Sequence, residues 1–284
     1  MNSDDNSVCV IVRAYNAAPY ISECIMSLRN QTYKFNIYIK ILYDEGSTDN
    51  TLQVLRKLDL PSLSTLNRHF ELIEHEKLSP FRSLLKYGFE EFAGSYSYYA
   101  ILDYDNYYDQ DYIELAVNHL AKNKCDFLYS LPKFVDNSKR ELIAPYKIPP
   151  YTNKFLKYRI LFANFIDAST IFISAQCLDL LITKMQILSS KTFDWIYEDW
   201  IIGALALNHC KSSFFPLSKV YYRAHEANIT YQNVTNSQNG TNSNRDILTV
   251  SAFKLLFNDN LVARISCVIS VFRWVFYYTL STLR

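Results

Sequence analysis

Ile101-Leu102-Asp103-Tyr104-Asp105-Asn106 is the stretch on which the fold turns. The apolar run 98–102 leads into it like a strand, and a helix-compatible segment starts near Asp109. Two carboxylates therefore stand where a buried strand emerges into a turn. Asp103 and Asp105 are two positions apart, so an extended backbone would point both side chains the same way. Paired oxygen donors suit a hard divalent cation, which in turn can hold a phosphate. Asp and Asn at such a place equally open a turn and cap the next helix.

Working outward, Val8-Cys9-Val10-Ile11-Val12 is a continuous apolar run, the pattern of a strand buried on both faces. Turn residues interrupt it from Arg13 to Pro19, and then Ile21, Cys24, Ile25 and Leu28 recur at helical spacing. A second strand over 36–43 runs into Asp44-Glu45-Gly46-Ser47-Thr48-Asp49-Asn50. That cluster ends the strand, turns at Gly46 and supplies caps for a helix through Leu52, Leu55 and Leu58. A short strand at 71–75 follows. Residues 82–92 read as a helix with Leu84, Leu85, Gly88, Phe89 and Phe92 on one side. Strand and helix thus alternate up to the Asp103 segment. This predicts an α/β fold with a mostly parallel sheet and helices on both faces. Right-handed crossovers put the carboxyl ends of the strands on one rim, where such sheets bind ligands. Tyr15, then Asp44 and Glu45, then Asp103 and Asp105 all fall on that rim.

Beyond it, the spacing predicts a helix after Asp111 and strands at 126–131 and 169–174. A helix follows at 176–187, with a Pro-rich change of layer at 145–150. Phe193-Asp194-Trp195-Ile196-Tyr197-Glu198-Asp199-Trp200 opens an apolar helix over 201–207. Acids at a helix start are favoured by the dipole alone. A strand at 220–223 delivers Ala224-His225-Glu226-Ala227-Asn228. Residues 231–246 are rich in Asn, Ser and Thr and read as a polar linker, with a C-terminal helical extension over 247–284. Within it, 261–283 is apolar except for a stripe of Ser266, Ser270, Arg273, Tyr277 and Ser281. Arg264 and Arg273 leave no charge-free run of the ~18 residues a membrane span needs. The pattern suits peripheral contact with an anionic membrane surface, or docking on the domain or on a second copy in a homo-oligomer.

Composition narrows the classes. Of 284 residues, 49% are apolar and 20% charged, as in a globular chain. A net charge of +1 gives no argument for a nucleic-acid partner. The six Cys form no C-x-x-C pair and mostly sit in apolar runs, so they are expected to be reduced core residues. Residues 1–7 are polar and acidic, unlike a signal peptide, which points to a cytoplasmic protein. The sequons at Asn228, Asn233 and Asn239 then mean only a polar loop.

The segments VCVIVRAYN (8–16), ILYDEGSTDNT (41–51), Asp103-Tyr104-Asp105 and Glu198-Asp199 stand in the order and spacing of the family 2 glycosyltransferases. From about residue 8 to 230 the chain resembles these inverting enzymes of the GT-A fold. The resemblance implies a catalytic domain over 1–230, with 1–106 its nucleotide-binding half and 107–230 its acceptor half. By the same resemblance, Tyr15 contacts the uracil of a UDP-sugar donor, Glu45 binds the base and Asp44 stands beside it. Arg82 reaches the donor, Asp103 and Asp105 serve the ribose and a Mg or Mn ion, and His225 closes over the diphosphate or the metal. Asp199 is then the general base. A glycan or lipid-linked acceptor of bacterial surface polysaccharide assembly is the implied partner. Trp195 and Trp200 either floor a sugar site or pack in the core.

Three departures stand out. Asn106 replaces a common further acid, Glu45 replaces a common Asp, and Arg13 stands where Pro or a small residue is common and could touch the donor. The Gln-x-x-Arg-Trp motif of processive synthases is missing, since Phe272-Arg273-Trp274 lacks its Gln, so a non-processive enzyme is expected. Two rival readings are a sugar nucleotidyltransferase and a non-catalytic sugar-nucleotide binder or scaffold of the same fold. The first would place a Gly-rich loop after the first strand, and residues 13–19 contain no Gly.

Overall fold

The computed structural model describes residues 6–144, 155–188, 193, 196–225, 228 and 243–257. Strand β1 (Val8–Ala14) lies in the middle of the main sheet, between β2 (Ile37–Asp44) and β4 (Tyr98–Asp103), and runs parallel to both. Its β-branched residues favour the extended, doubly buried position. Outside β2 lies β3 (Arg68–His75), again parallel. On the other side, β8 (Phe172–Ser174) is antiparallel to β4 and to β6 (Phe127–Ser130), and β9 (Ser212–Phe215) is parallel to β6. The order is β3-β2-β1-β4-β8-β6-β9, so the sheet is mostly parallel, as expected.

Alternation along β1 sends its side chains into two cores. Val8, Val10 and Val12 join Ile39, Ile41, Ala100 and Leu102 on one face. Helices α1 (Ile21–Arg29), α2 (Thr51–Lys57), α3 (Leu60–Leu63) and α5 (Tyr112–Asn123) supply Ile25, Leu28, Leu55, Leu60 and Ile113 to that layer. Cys9 and Ile11 point the other way, into Tyr99, Ile101, Leu84 and Phe89. That layer also holds Leu178 and Leu181 of α7 (Ala175–Gln186), Ile201 and Leu205 of α8 (Glu198–His209), and Phe253 of α9 (Ser243–Leu256). Short α6 (Leu156–Arg159) packs beside α8.

Several local expectations change. The helix read over 82–92 begins earlier, as α4 (Pro80–Ser83), with Ser79 Oγ accepting the Arg82 N–H at 3.3 Å. It continues as a π-helix over Leu84–Glu90. There Gly88 lies so close to β1 that a Cβ would stand 3.2 Å from Ile11 Cγ2. A wider turn and a missing side chain let the helix sit on the strand. The strand expected over 169–174 is shorter, because Ala168–Thr170 coils into a 3-10 turn before β8.

The strand expected at 220–223 is β10 (Val220–Arg223), and it builds a second sheet with two strands too short to show in the sequence, β5 (Tyr107–Tyr108) and β7 (Lys133–Val135), in the order β5-β10-β7. The cysteines also need correction. Cys177 of α7 and Cys210, just past α8, form a disulfide with Cα atoms 6.2 Å apart. The two helices pack side by side, which spacing along the chain does not reveal. Cys9, Cys24 and Cys125 are buried free thiols.

Helix α9 starts at Ser243, inside the stretch read as linker, and Val250, Ala252, Phe253 and Leu256 are part of the domain core. The amphipathic stretch 261–283 and Trp195 lie outside the described residues. Among the described residues no helix is long and apolar enough to cross a membrane.

Candidate active site

The rim is built by two loops stitched side by side. After β1, Asn16 adopts a left-handed backbone (φ 48°), and its Oδ1 accepts the Thr48 N–H at 2.7 Å. Asn is among the residues that tolerate this region best. The Ala17 N–H donates to Thr51 Oγ1 at 2.6 Å, and the Ala18 N–H to Asp49 Oδ2 at 3.0 Å. The Ala-Tyr-Asn and Gly-Ser-Thr-Asp segments are therefore one unit, each satisfying the other's backbone. Within it Asp44 is buried and turns back on itself, its Oδ1 taking the Gly46 N–H at 2.7 Å. A Cβ on Gly46 would lie 2.9 Å from that same oxygen and 2.7 Å from Lys77 Cδ, so a larger residue would displace one or both side chains. Tyr15, 42% exposed, and Glu45 face solvent at the edge of this unit. Arg82 lies on α4, which follows β3 at the same rim, and is partly buried.

The Asp103 segment differs from the geometry expected of it. The strand ends at Asp103, and the Asn106 N–H closes a turn on the Asp103 carbonyl at 3.0 Å. Asp105 is therefore not extended, and the two carboxylates take different partners. Asp103 Oδ1 accepts from Arg13 Nε at 2.8 Å and also from Arg13 Nη2. Asp105 Oδ2 is 3.0 Å from His225 Nε2 and accepts from Asn228 Nδ2 at 2.9 Å.

The small sheet explains that meeting. β10 pairs with β5 and carries the chain past Asp105, where Arg223 Nε donates to the Asp105 carbonyl at 3.2 Å. Asn228 Oδ1 takes the His225 N–H at 2.6 Å, and the Tyr20 ring lies 4.7 Å from the imidazole. Asn106, 1% exposed, uses both ends of its amide: Nδ2 donates to Ser169 Oγ at 2.8 Å, and Oδ1 accepts the Arg223 N–H at 3.1 Å.

The acceptor half contributes Glu198 and Asp199 in the first turn of α8. Glu198 is buried, and Arg13 Nη1 donates to its Oε1. Asp199 is partly buried, and its Oδ1 accepts the Trp200 N–H at 2.7 Å. Trp200 belongs to the core and not to a sugar floor. Its indole donates to the Ile160 carbonyl, and its ring meets Phe253 edge-on at 5.5 Å.

Electrostatics tie these groups together. Asp167 caps the 3-10 turn, its Oδ1 accepting the Ser169 N–H at 2.9 Å. Burial pushes its carboxyl up to about 8, and the charges of Asp103, Asp199 and Asp105 add to the rise. Burial also raises Asp103, with Arg13 opposing it and Asp105 and Glu198 reinforcing it. Burial works against the charge of Arg13, yet Asp103 and Glu198 lift its pKa above the ordinary value. Residues from four separate segments thus share one charged cleft.

Sequence reasoning did not single out Asp167, Ser169, Asn228 or Arg223. An Asp two residues before a Ser reads as an ordinary turn cap, and only the fold shows what lies opposite. Among the described residues no group of three or more His, Cys, Asp and Glu is arranged to hold a metal ion. Asp105 and His225 nevertheless offer an oxygen and a nitrogen donor 3.0 Å apart. A small divalent cation is commonly held by one or two carboxylates and the oxygens of a bound diphosphate, and Asp105 fits that mode, with the His225 nitrogen beside it.

A model of "Glycosyl transferase family 2" matches residues 9–176. An uncharacterized glycosyltransferase of Haemophilus influenzae is 39% identical over 116 residues, 41% of this chain and 33% of the relative. The Escherichia coli protein WfgD is a UDP-Glc:alpha-D-GlcNAc-diphosphoundecaprenol beta-1,3-glucosyltransferase. It is 29% identical over 157 residues, 54% of this chain and 56% of its own length. The chain thus spans between a third and about half of these two relatives. Among solved structures, Staphylococcus aureus TarS 1–349 with UDP-GlcNAc is similar at a TM-score of 0.56 and 18% identity. That match covers 88% of this chain and 65% of TarS 1–349. The Pyrobaculum calidifontis mannosyltransferase PcManGT, with GDP-Man and Mn2+, gives 0.56 at 15% identity, covering 93% and 72%.

Proposed function

Because the chain belongs to glycosyl transferase family 2 and has the GT-A fold, we propose that it moves a sugar from a nucleoside-diphosphate sugar to an acceptor hydroxyl. The reading is that of a non-processive enzyme inverting the anomeric carbon. The observation that carries it is convergence: the Arg13 guanidinium donates to Asp103 at the end of β4 and to Glu198, the residue before Asp199, so acids from both halves of the chain meet in one place.

In this reading Tyr15 and Glu45 meet the nucleobase at the open edge of the rim, with Asp44 shaping the loop beneath them. Arg82 reaches the donor from α4, and Asp103, held by Arg13, accepts from the ribose. Asp105 and His225 would hold a Mg or Mn ion. Such a cation neutralises the charge that develops on the diphosphate leaving group. Asp199 accepts the proton of the acceptor hydroxyl as that oxygen attacks from the face opposite the diphosphate. The hydroxyl loses its proton only as the new bond forms, so an ordinary carboxylate suffices.

WfgD uses UDP-glucose and a lipid-linked acceptor by its name, which supports a UDP-sugar and a lipid-linked or glycan acceptor here. The matching experiment is a thermal-shift panel of UDP- and GDP-sugars with Mn2+, followed by mass detection of product on diphosphate-lipid acceptors. Stabilisation by one donor and a product one sugar heavier are expected. No response to any nucleotide sugar would overturn the reading.

A further inference from the structure

We propose that Arg13 is a positioning residue that fastens the base-bearing helix α8 to the donor edge of the sheet. The inference rests on the glycosyltransferase reading and deepens it, because it assigns a role to a residue that departs from the family pattern.

Arg13 is the last but one residue of β1, the central strand, and Asp103 is its register partner on β4. Its Nε and Nη2 both hold Asp103 Oδ1, while Nη1 reaches Glu198, 185 positions away in the chain. Glu198 directly precedes Asp199. One guanidinium therefore spans the nucleotide-binding half and the residue next to the proposed base. The planar fork of arginine makes this possible, since its donors diverge in fixed directions. A lysine ammonium carries the same charge on one nitrogen and does not reproduce that span.

The surroundings make the tie consequential. Asp103, Asp105, Asp167, Glu198 and Asp199 crowd this cleft, and Asp103 and Glu198 would repel each other across it without the guanidinium. The outer side of the same helix start is held separately, by the Tyr197 N–H on Thr249 Oγ1 of α9 at 3.0 Å. Removing Arg13 would take away the charged tie on the inner side and leave this one in place. Transfer depends on Asp199 standing in line with an anomeric carbon whose place is set from Asp103. A shift of ~1 Å in such an arrangement can cost ~100-fold in rate.

The test compares wild type with Arg13→Met, Arg13→Lys, Glu198→Gln and the double variant Arg13→Met/Glu198→Gln. Turnover, UDP affinity with Mn2+ and amide exchange of residues 196–203 are read together. Arg13→Met should lower kcat by ~100-fold, and Glu198→Gln, which leaves Asp103 its partner, should lower kcat while the donor KM moves less than ~3-fold, the signature of lost alignment and not of lost binding. Arg13→Lys should restore thermal stability more than kcat. The double variant should be no slower than Arg13→Met by more than ~2-fold, because both changes break one tie. Exchange should quicken over 196–203 and stay unchanged in α7. A raised donor KM with kcat kept would make Arg13 a donor contact and overturn the proposal, as would multiplicative losses in the double variant. If wild type turns over no donor, the transferase reading fails on its own. Unchanged exchange in Arg13→Met and Glu198→Gln would then still overturn the tie, and quickened exchange would support it.

Discussion

His225 Nε2 lies 3.0 Å from Asp105 Oδ2, although 120 positions of chain separate them. The contact exists because β10 pairs with β5 and its continuation folds back over the turn after β4. In the proposed reading this pair, with Asn228 on the same oxygen, would hold a divalent cation together with the donor's diphosphate. Asp105→Ala should therefore abolish the Mn2+-dependent part of UDP binding, and His225→Ala should weaken it by ~10-fold or more. Calorimetry with UDP, with and without EDTA, measures this. Binding by Asp105→Ala that matches wild type in Mn2+ would remove Asp105 from the cation site.

Asp199→Asn keeps the shape of the side chain and its acceptor for the Trp200 N–H, but removes its basicity. Transfer should fall by ~100- to 10,000-fold, the usual range for a general base, while UDP affinity stays within ~2-fold. A variant that transfers sugar at the wild-type rate would exclude Asp199 as the base.

The parallel half of the sheet was legible because β1, β2 and β4 are long apolar runs, and each ends in a polar cluster that has nowhere to sit but the rim. The loops after β1 and β2 were legible as separate clusters. Their joining through Asn16 and Thr48 was not, since it depends on which strands are neighbours. Of the small sheet only β10 was legible, at 220–223; β5 and β7, of two and three residues, carry too little alternation to register. Without that sheet, nothing in the sequence brings Arg223 or Asn228 to Asp105. Asp103 and Asp105 were read as pointing together on the assumption of extended backbone, and the turn at Asn106 removes that assumption. Trp200 shows the limit for aromatics, because a ring next to an acid at a helix start serves a site or a core with equal ease.

Asn106 uses both ends of its amide, which a carboxylate could not do. Its nitrogen donates to Ser169 Oγ at 2.8 Å, and its oxygen accepts from the Arg223 backbone at 3.1 Å. Asn106→Asp would put a charge at a 1% exposed position beside Asp103 and Asp105, and would take the donor away from Ser169. A loss of about 1–3 kcal/mol is expected, or a few degrees in Tm. Thermal melts of the two proteins without ligand measure it. Equal melting temperatures would mean that the amide is not needed for the fold of this corner.

Asp167 makes a prediction about pH whose sign can be worked out. Burial among the charges of Asp103, Asp199 and Asp105 raises its carboxyl from the ordinary 3.8 to about 8. Between those values the folded protein holds a proton that the unfolded chain releases, so this group's contribution to stability is full below pH ~4 and declines as pH rises toward 8. Asp167→Asn keeps an oxygen for the Ser169 N–H, now 2.9 Å from Oδ1, and cannot ionise. The variant should match wild type near pH 4, and its melting temperature should exceed that of wild type by a gap that opens as pH rises and levels off above about pH 8, about 2–4 °C for each kcal/mol relieved. Melting curves of both proteins from pH 4 to 9 test this. A gap that stays constant across the range would mean that Asp167 ionises as an ordinary carboxylate, and that the negative charges of the cleft do not meet at its position.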